Sequence, residues 1–232
     1  METDPKESDA SLTEPRLLKP DMEDYRAVCK PSGYLTHSVG DGVPDAVTWC
    51  LRSGLGEDFA FGHRLDKPVS GVLVGSESAE ARARLGDAFA EGVLDKRYFG
   101  LVYGVARPKG IVRRKLKDGR RGRAIEAITR YRRLWASDSL SLLLLTPQTG
   151  RKHQIRRHLQ GIGHPLVGDK RYGKRQPKPV SGFPGRLWLH ASILEWPDAG
   201  LKWCADLPEE LVQHLEHLGA PRLPVLFPEG HG

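Results

Sequence analysis

The stretch Phe61-Gly-His-Arg-Leu-Asp-Lys-Pro-Val-Ser-Gly-Val-Leu-Val74 constrains the fold of this chain more than any other. Gly62 and Gly71 permit backbone conformations that other residues resist, Pro68 fixes a turn, and Val72-Leu73-Val74 reads as a short buried strand. One carboxylate, Asp66, is therefore expected on a constrained loop beside the core. Taken by itself, such an aspartate reads as a turn cap or an ion-pair partner of Arg64 or Lys67. A catalytic reading needs support from elsewhere in the chain.

On either side of this stretch, strand and helix signals alternate without a regular βαβ beat, which predicts an α+β fold. Tyr25 to Cys29 has strand character and ends at the turn Lys30-Pro-Ser-Gly33. Pro44 to Arg52 predicts a short helix with Val47 and Leu51 on one face. Ser76 or Ser78 caps a second helix, with Glu77 and Glu80 in its first turns, the apolar pair Leu85 and Phe89, and Gly92 at its end. Strands are expected over 97–103, 124–134, 140–145, 187–191 and 201–205, and a last helix opens at Asp206 and Pro208 with Leu211, Leu215 and Leu218. Residues 1–21 read as a disordered leader, 22–220 as a single domain and 221–232 as a tail.

The chain has 232 residues, enough to bury a sizeable core, and its formal net charge of +7 favours an anionic partner. Cys29, Cys50 and Cys204 are far apart and show no zinc-ligand spacing, so no structural metal is expected. No apolar run approaches the ~20 residues of a membrane span. The expectation is a cytoplasmic chain, without a membrane partner and monomeric. There is no G-x-S-x-G elbow, P-loop or H-E-x-x-H pair.

Two basic segments stand out. Arg107 to Arg123 reads as a loop with a hairpin tip at Asp118-Gly119, either simply solvated or touching phosphates. Thr149 to Gly161 reads as a helix begun by Thr149, with Ile155 and Leu159 toward the core and Lys152, His153, Arg156 and Gln160 on a polar face. A carboxylate can act as a nucleophile if it is kept ionised and aimed, and Arg64 or Arg156 could supply the neighbouring cation.

His63-Arg-Leu-Asp66 before Ser70-Gly71, Lys96-Arg-Tyr98, Thr149-Gly-Arg-x-His-Gln-Ile-Arg156, Gly163-His-Pro-x-Val-Gly-Asp169 and Leu189-His-Ala191 occur in this order. Together with Lys30-Pro-Ser-Gly33 and His37 they resemble the successive motifs of the RluA family of pseudouridine synthases, over nearly the whole folded chain. The resemblance implies the pseudouridine synthase fold, a long mixed, largely antiparallel sheet flanked by helices with a central cleft. It implies conversion of RNA uridines to pseudouridine, with no cofactor or metal.

By the same resemblance Asp66 is the catalytic aspartate, Arg156 its ion-pair partner, and Tyr98 the active-site tyrosine that stacks on the base. Arg64 enters the space the flipped base vacates, Ile155 packs beneath the uracil, and His63 and Arg151 belong to the substrate-binding set. Val69 departs from the Thr often found in the family motif. The segment Gly150 to Leu159 is most similar to a branch that modifies tRNA, which makes tRNA the favoured substrate and ribosomal RNA the alternative. A non-catalytic RNA-binding or RNA-folding protein on the same fold is a further alternative. The joint presence of Asp66, Tyr98 and Arg156 weighs against it, because a pure binder needs no poised carboxylate.

Overall fold

The computed structural model describes residues 13–22, 24–38, 40, 42–117, 122–173 and 179–221. In chain order the elements are β1 Arg16–Met22, β2 Tyr25–Lys30, α1 Ala46–Arg52, β3 Ala60–Phe61, β4 Ser70–Ser76 and α2 Ala79–Glu91. They continue with β5 Asp95–Tyr103, β6 Lys109–Arg113, β7 Leu116–Lys117, β8 Ala124–Ile125, β9 Ile128–Ala136 and β10 Leu140–Pro147. The last are α3 Gln154–Gly161, β11 Leu189–Trp196, β12 Leu201–Cys204 and α4 Glu209–His217.

Ten strands form one sheet in the order β1-β2-β4-β11-β5-β10-β9-β6, with β3 on β4 and β12 on β11. All its pairings are antiparallel except that of β4 with β11, where Ser70 lies opposite His190 and Gly71 opposite Ala191. This is the α+β mixed sheet expected from the sequence. Every residue of β4 is buried, as its unbroken Val72-Leu73-Val74 run demands of a strand covered on both faces. Gly71 has φ 121°, and a Cβ there would meet the Ala191 carbonyl oxygen at 2.0 Å. Close approach of β11 therefore requires glycine, and it fixes the exit of the loop that carries Asp66.

The core gathers on both sides of this sheet. Leu65, Val69, Leu143, Leu145, Ile155, Leu159 and Leu189 form the cluster next to Asp66 and α3. Val72, Val74, Leu85 and Trp203 pack with α2, and Trp188, Leu142, Leu211 and Leu215 with α4. Burying each large apolar side chain contributes on the order of 1.5–3 kcal/mol. Helix α2 begins and ends as its sequence predicts: the Ser78 hydroxyl accepts the Ala81 N–H, and Gly92 closes the helix at φ 79°.

Several expectations are corrected. Arg16–Met22 is a strand, so structure begins inside the segment read as a leader. Leu18 is buried there while Leu17 is exposed, an edge pattern too short to signal a strand. The buried face of α1 is Ala46 and Cys50; Leu51 is exposed and Val47 only partly buried. The basic segment is not all loop, because Lys109–Arg113 pairs with β9. The strand expected over 124–134 divides into β8 and β9. Helix α3 starts at Gln154, not Thr149; the Thr149 hydroxyl instead donates to the Gln154 side-chain oxygen and accepts the Ile128 N–H. The Asp118-Gly119 tip, and the tail beyond Pro221, lie outside the described residues.

Candidate active site

The β3–β4 loop is pinned on both sides of Asp66. The Thr36 hydroxyl donates to the Leu65 carbonyl and accepts the Leu65 N–H. The Lys67 carbonyl accepts from the Gly33 N–H at 2.9 Å and from Lys30 Nζ at 3.2 Å, and the Pro68 carbonyl accepts from the Ser32 hydroxyl. Lys30 is fully buried, and its ammonium also donates to the carbonyls of Pro31 and Tyr34. Burial, then Arg186, pushes the Lys30 pKa down to about 7, while Asp66 opposes the shift. The Lys30-Pro-Ser-Gly33 turn is thus a clamp on the aspartate loop.

The Asp66 carboxylate is 20% exposed and opens into a cleft of about 470 Å³. Arg64, Leu65, Val69, Tyr98, Arg151 and Ile155 are among its walls. Arg156 Nη1 lies 3.6 Å from Asp66 Oδ2, and His153 Nε2 lies 3.6 Å from Oδ1. Arg156 is 7% exposed and turns its other two guanidinium nitrogens to Asp169: Nε reaches Oδ2 and Nη2 reaches Oδ1, each at 2.8 Å. Asp169 Oδ1 also accepts the backbone N–H groups of Arg171 and Tyr172. Although burial raises the Asp169 pKa, the hydrogen bonds from Arg156 and the backbone outweigh it and hold the carboxyl below its usual range. Arg156 therefore sits between two carboxylates, rigidly fixed to one and facing the other.

Tyr98 projects from β5 into the cleft, and burial followed by the Asp66 charge raises its phenol pKa. It is a neutral phenol at physiological pH, suited to stacking and to donating a hydrogen bond rather than accepting a proton. Ile155 is buried at the cleft floor; Arg64 is exposed at its rim. Arg151 is half-buried, its Nε donating to the Glu126 carbonyl.

Six of the seven residues expected at the site thus come together, and His63 does not. Its Nε2 accepts the Val74 N–H at 2.9 Å, and its ring stacks on Phe89 at 4.4 Å, on the α2 side of the loop. Burial, with smaller contributions from Lys96 and His37, pushes its pKa down to about 3. A neutral imidazole accepting a backbone hydrogen bond supports the loop from the α2 side, and His63 is not among the residues that line the cleft. His153, Asp169 and Tyr172 were not singled out for the site, although His153 stands in the Arg151-Lys-His-Gln motif and Asp169 ends the Gly163 to Asp169 motif. Their roles follow from distances across the fold that spacing along the chain does not contain.

The profile of the RNA pseudouridylate synthase family matches residues 24–161, which include the pinned loop, Tyr98 and Arg156. The chain belongs to this family. Among relatives of this pseudouridine synthase, the tRNA pseudouridine synthase C of Salmonella typhimurium is 35% identical over 195 residues, 73% of this chain and 75% of that protein. The ribosomal large subunit pseudouridine synthase C of Rickettsia felis is 34% identical over 181 residues, 72% of this chain and 58% of that protein. The solved structure of human RNA pseudouridylate synthase domain containing 4 superposes with a TM-score of 0.74 at 24% identity. That match covers 88% of this chain and 92% of that one, and shows that the fold is shared.

Proposed function

We propose that this pseudouridine synthase isomerises specific uridines of tRNA, with Asp66 as the catalytic carboxylate. One observation carries the reading: Asp66 stands on a loop pinned at both ends, at the wall of an open cleft, facing one arginine that is already locked in place. Asp66 assists cleavage of the bond between uracil N1 and the ribose. The uracil turns within the cleft and rejoins the sugar through C5, the C5 proton leaves, and N1 takes up a proton, so that the product is an isomer of the substrate. The reactants are thereby held in one site, where orientation supplies much of the rate.

Arg156 supplies the charge that faces Asp66 throughout. Tyr98 stacks on the uracil, Ile155 gives it an apolar floor, Arg64 at the rim enters the space left by the flipped base, and Arg151 takes a neighbouring phosphate. The strands and helices from Arg16 to His217 act as one catalytic unit, monomeric and cytoplasmic. No helix of the described residues is long and apolar enough to cross a membrane.

The similarity to a tRNA-named relative over three quarters of that protein supports tRNA as substrate. The Rickettsia relative makes ribosomal RNA the second reading. Mapping pseudouridine in total RNA from cells with and without the gene separates them: a missing site in tRNA is expected, and a missing site confined to ribosomal RNA overturns the tRNA assignment. Asp66→Asn is expected to abolish pseudouridine formation while RNA affinity stays within a few-fold. Full activity in that variant would refute the role of Asp66.

A further inference from the structure

His153 occupies the position just before α3 and has φ 54° and ψ 30°. Among the described residues it is the one non-glycine residue at positive φ. Residues at this position normally adopt extended backbone and cap the helix through the side chain. His153 makes no such cap bond. A left-handed conformation at a non-glycine residue costs on the order of 1–3 kcal/mol, and although the His153 carbonyl accepts the Arg157 N–H, no side-chain cap bond offsets that strain.

What the strained backbone does is aim the imidazole. Nδ1 lies 2.9 Å from the Tyr172 hydroxyl and Nε2 lies 3.6 Å from Asp66 Oδ1. A carboxylate only accepts, so the proton belongs on Nε2, and Nδ1 then accepts from Tyr172 O–H. Tyr172 is held in turn: its N–H donates to Asp169, and its ring lies under the Arg156 guanidinium at 5.1 Å. The five residues close a ring, Asp66–Arg156–Asp169–Tyr172–His153 and back to Asp66. Burial lowers the His153 pKa against the pull of Asp66, and Arg156, Arg171 and Lys152 lower it further. With His153 neutral, the ring holds two carboxylates and one guanidinium, so Asp66 is not over-neutralised. At 3.6 Å both contacts to Asp66 steer the carboxylate without forming closed hydrogen bonds, which leaves its lone pairs open to substrate.

We propose that His153 is a positioning residue for Asp66: the imidazole, locked by Tyr172, presents an N–H to Oδ1 while Arg156 faces Oδ2, and together they fix the carboxylate's orientation in the cleft. This rests on the reading of Asp66 as the catalytic carboxylate.

The test compares His153→Asn, His153→Gln, Tyr172→Phe and Asp66→Asn, following tritium release from 5-tritiated-uridine RNA prepared from cells that lack the gene. Asn accepts the left-handed backbone but does not reach Asp66, whereas the Gln amide nitrogen takes the place of Nε2. His153→Asn is expected to keep its thermal midpoint and KM and to lose kcat by about 100-fold, the scale of an ångström-level misplacement. His153→Gln should recover kcat to within about tenfold of the wild type, one hydrogen bond's worth of misalignment. A purely structural role predicts the reverse order, because Asn relieves the strain. Equal or greater kcat for Asn than for Gln overturns the proposal. If His153→Asn fails to fold, Tyr172→Phe decides: a kcat about tenfold lower at unchanged KM supports it, and wild-type kcat overturns it. Activity in Asp66→Asn would refute the catalytic reading itself; an inactive Asp66→Asn beside a fully active His153→Asn refutes this inference alone.

Discussion

Asp169→Asn separates what holds Arg156 from what Arg156 does. Asp169 is 1% exposed and Arg156 7%, so solvent screens their two 2.8 Å bonds very little. Removing one partner of such a buried pair strands the other charge at a cost of about 3–5 kcal/mol. The Asn oxygen still accepts the backbone N–H groups of Arg171 and Tyr172 and one arginine donor, which recovers about 1 kcal/mol and leaves a net loss of about 2–4 kcal/mol. For a protein of this length each kcal/mol shifts the midpoint by about 2–4 °C, so differential scanning calorimetry should show a fall of about 4–16 °C. The freed guanidinium then turns to Asp66, its remaining anion, and kcat falls together with the midpoint. The pair Asp169→Asn/Arg156→Met removes the stranded charge, and its destabilisation should be smaller than the sum of the single losses by about 1–3 kcal/mol, while activity stays lost. A midpoint within about 2 °C of wild type for Asp169→Asn, or simple additivity in the double variant, would refute the argument that Arg156 is fixed from behind by Asp169.

Gly71→Ala places a methyl group 2.0 Å from the Ala191 carbonyl at φ 121°, and should lower soluble yield and thermal midpoint sharply; a wild-type melt contradicts the close β4–β11 pairing. His63 and His190 have pKa values pushed down to about 3 and about 4, mainly by burial, so each contributes stability that is complete above the unfolded value near 6.5 and is lost as pH falls below it. At pH 5 each accounts for a loss of up to about 2 kcal/mol; an unchanged urea midpoint between pH 7.5 and pH 5 would disprove this. Lys109 stands directly opposite Arg132 on the exposed edge of the sheet, beside Arg130 and Arg113, a like-charge arrangement that an isolated sheet disfavours. Replacing Lys109 and Arg132 by Gln should lower the slope of log affinity against log salt by about 0.7–0.9 per lost phosphate contact; an unchanged slope would make this edge a solvated surface.

The residues proposed to carry the chemistry were legible because each sits in a local pattern. Asp66 lies between Gly62 and Pro68, Tyr98 in a strand run, and Arg156 one position after the core-facing Ile155. The α+β class was readable for the same reason, since periodicity and turn residues are local properties. His63, placed by resemblance in the substrate-binding set, lies apart from the other six because a motif does not say toward which side a ring turns. Phe89 on α2 and the Val74 N–H take it away from the cleft. Helix α3 was begun too early because Thr149 is a good cap by type, yet its hydroxyl is engaged by Gln154 and Ile128.

The sequence by itself determined a basic, α+β chain with a glycine- and proline-framed aspartate and an arginine helix to face it. Those properties depend on neighbours within a few residues, and they persist whatever the rest of the chain does. Tertiary structure decided how that aspartate is held. The pairing of β4 with β11 fixes the loop's exit, Lys30 and Ser32 clamp Lys67 and Pro68 from 37 and 36 positions earlier, and α3 meets the 163–173 loop so that Asp169 locks Arg156 and Tyr172 aims His153. A carboxylate's orientation is set by donors arriving from distant segments, and their distances exist only once the chain has closed around them.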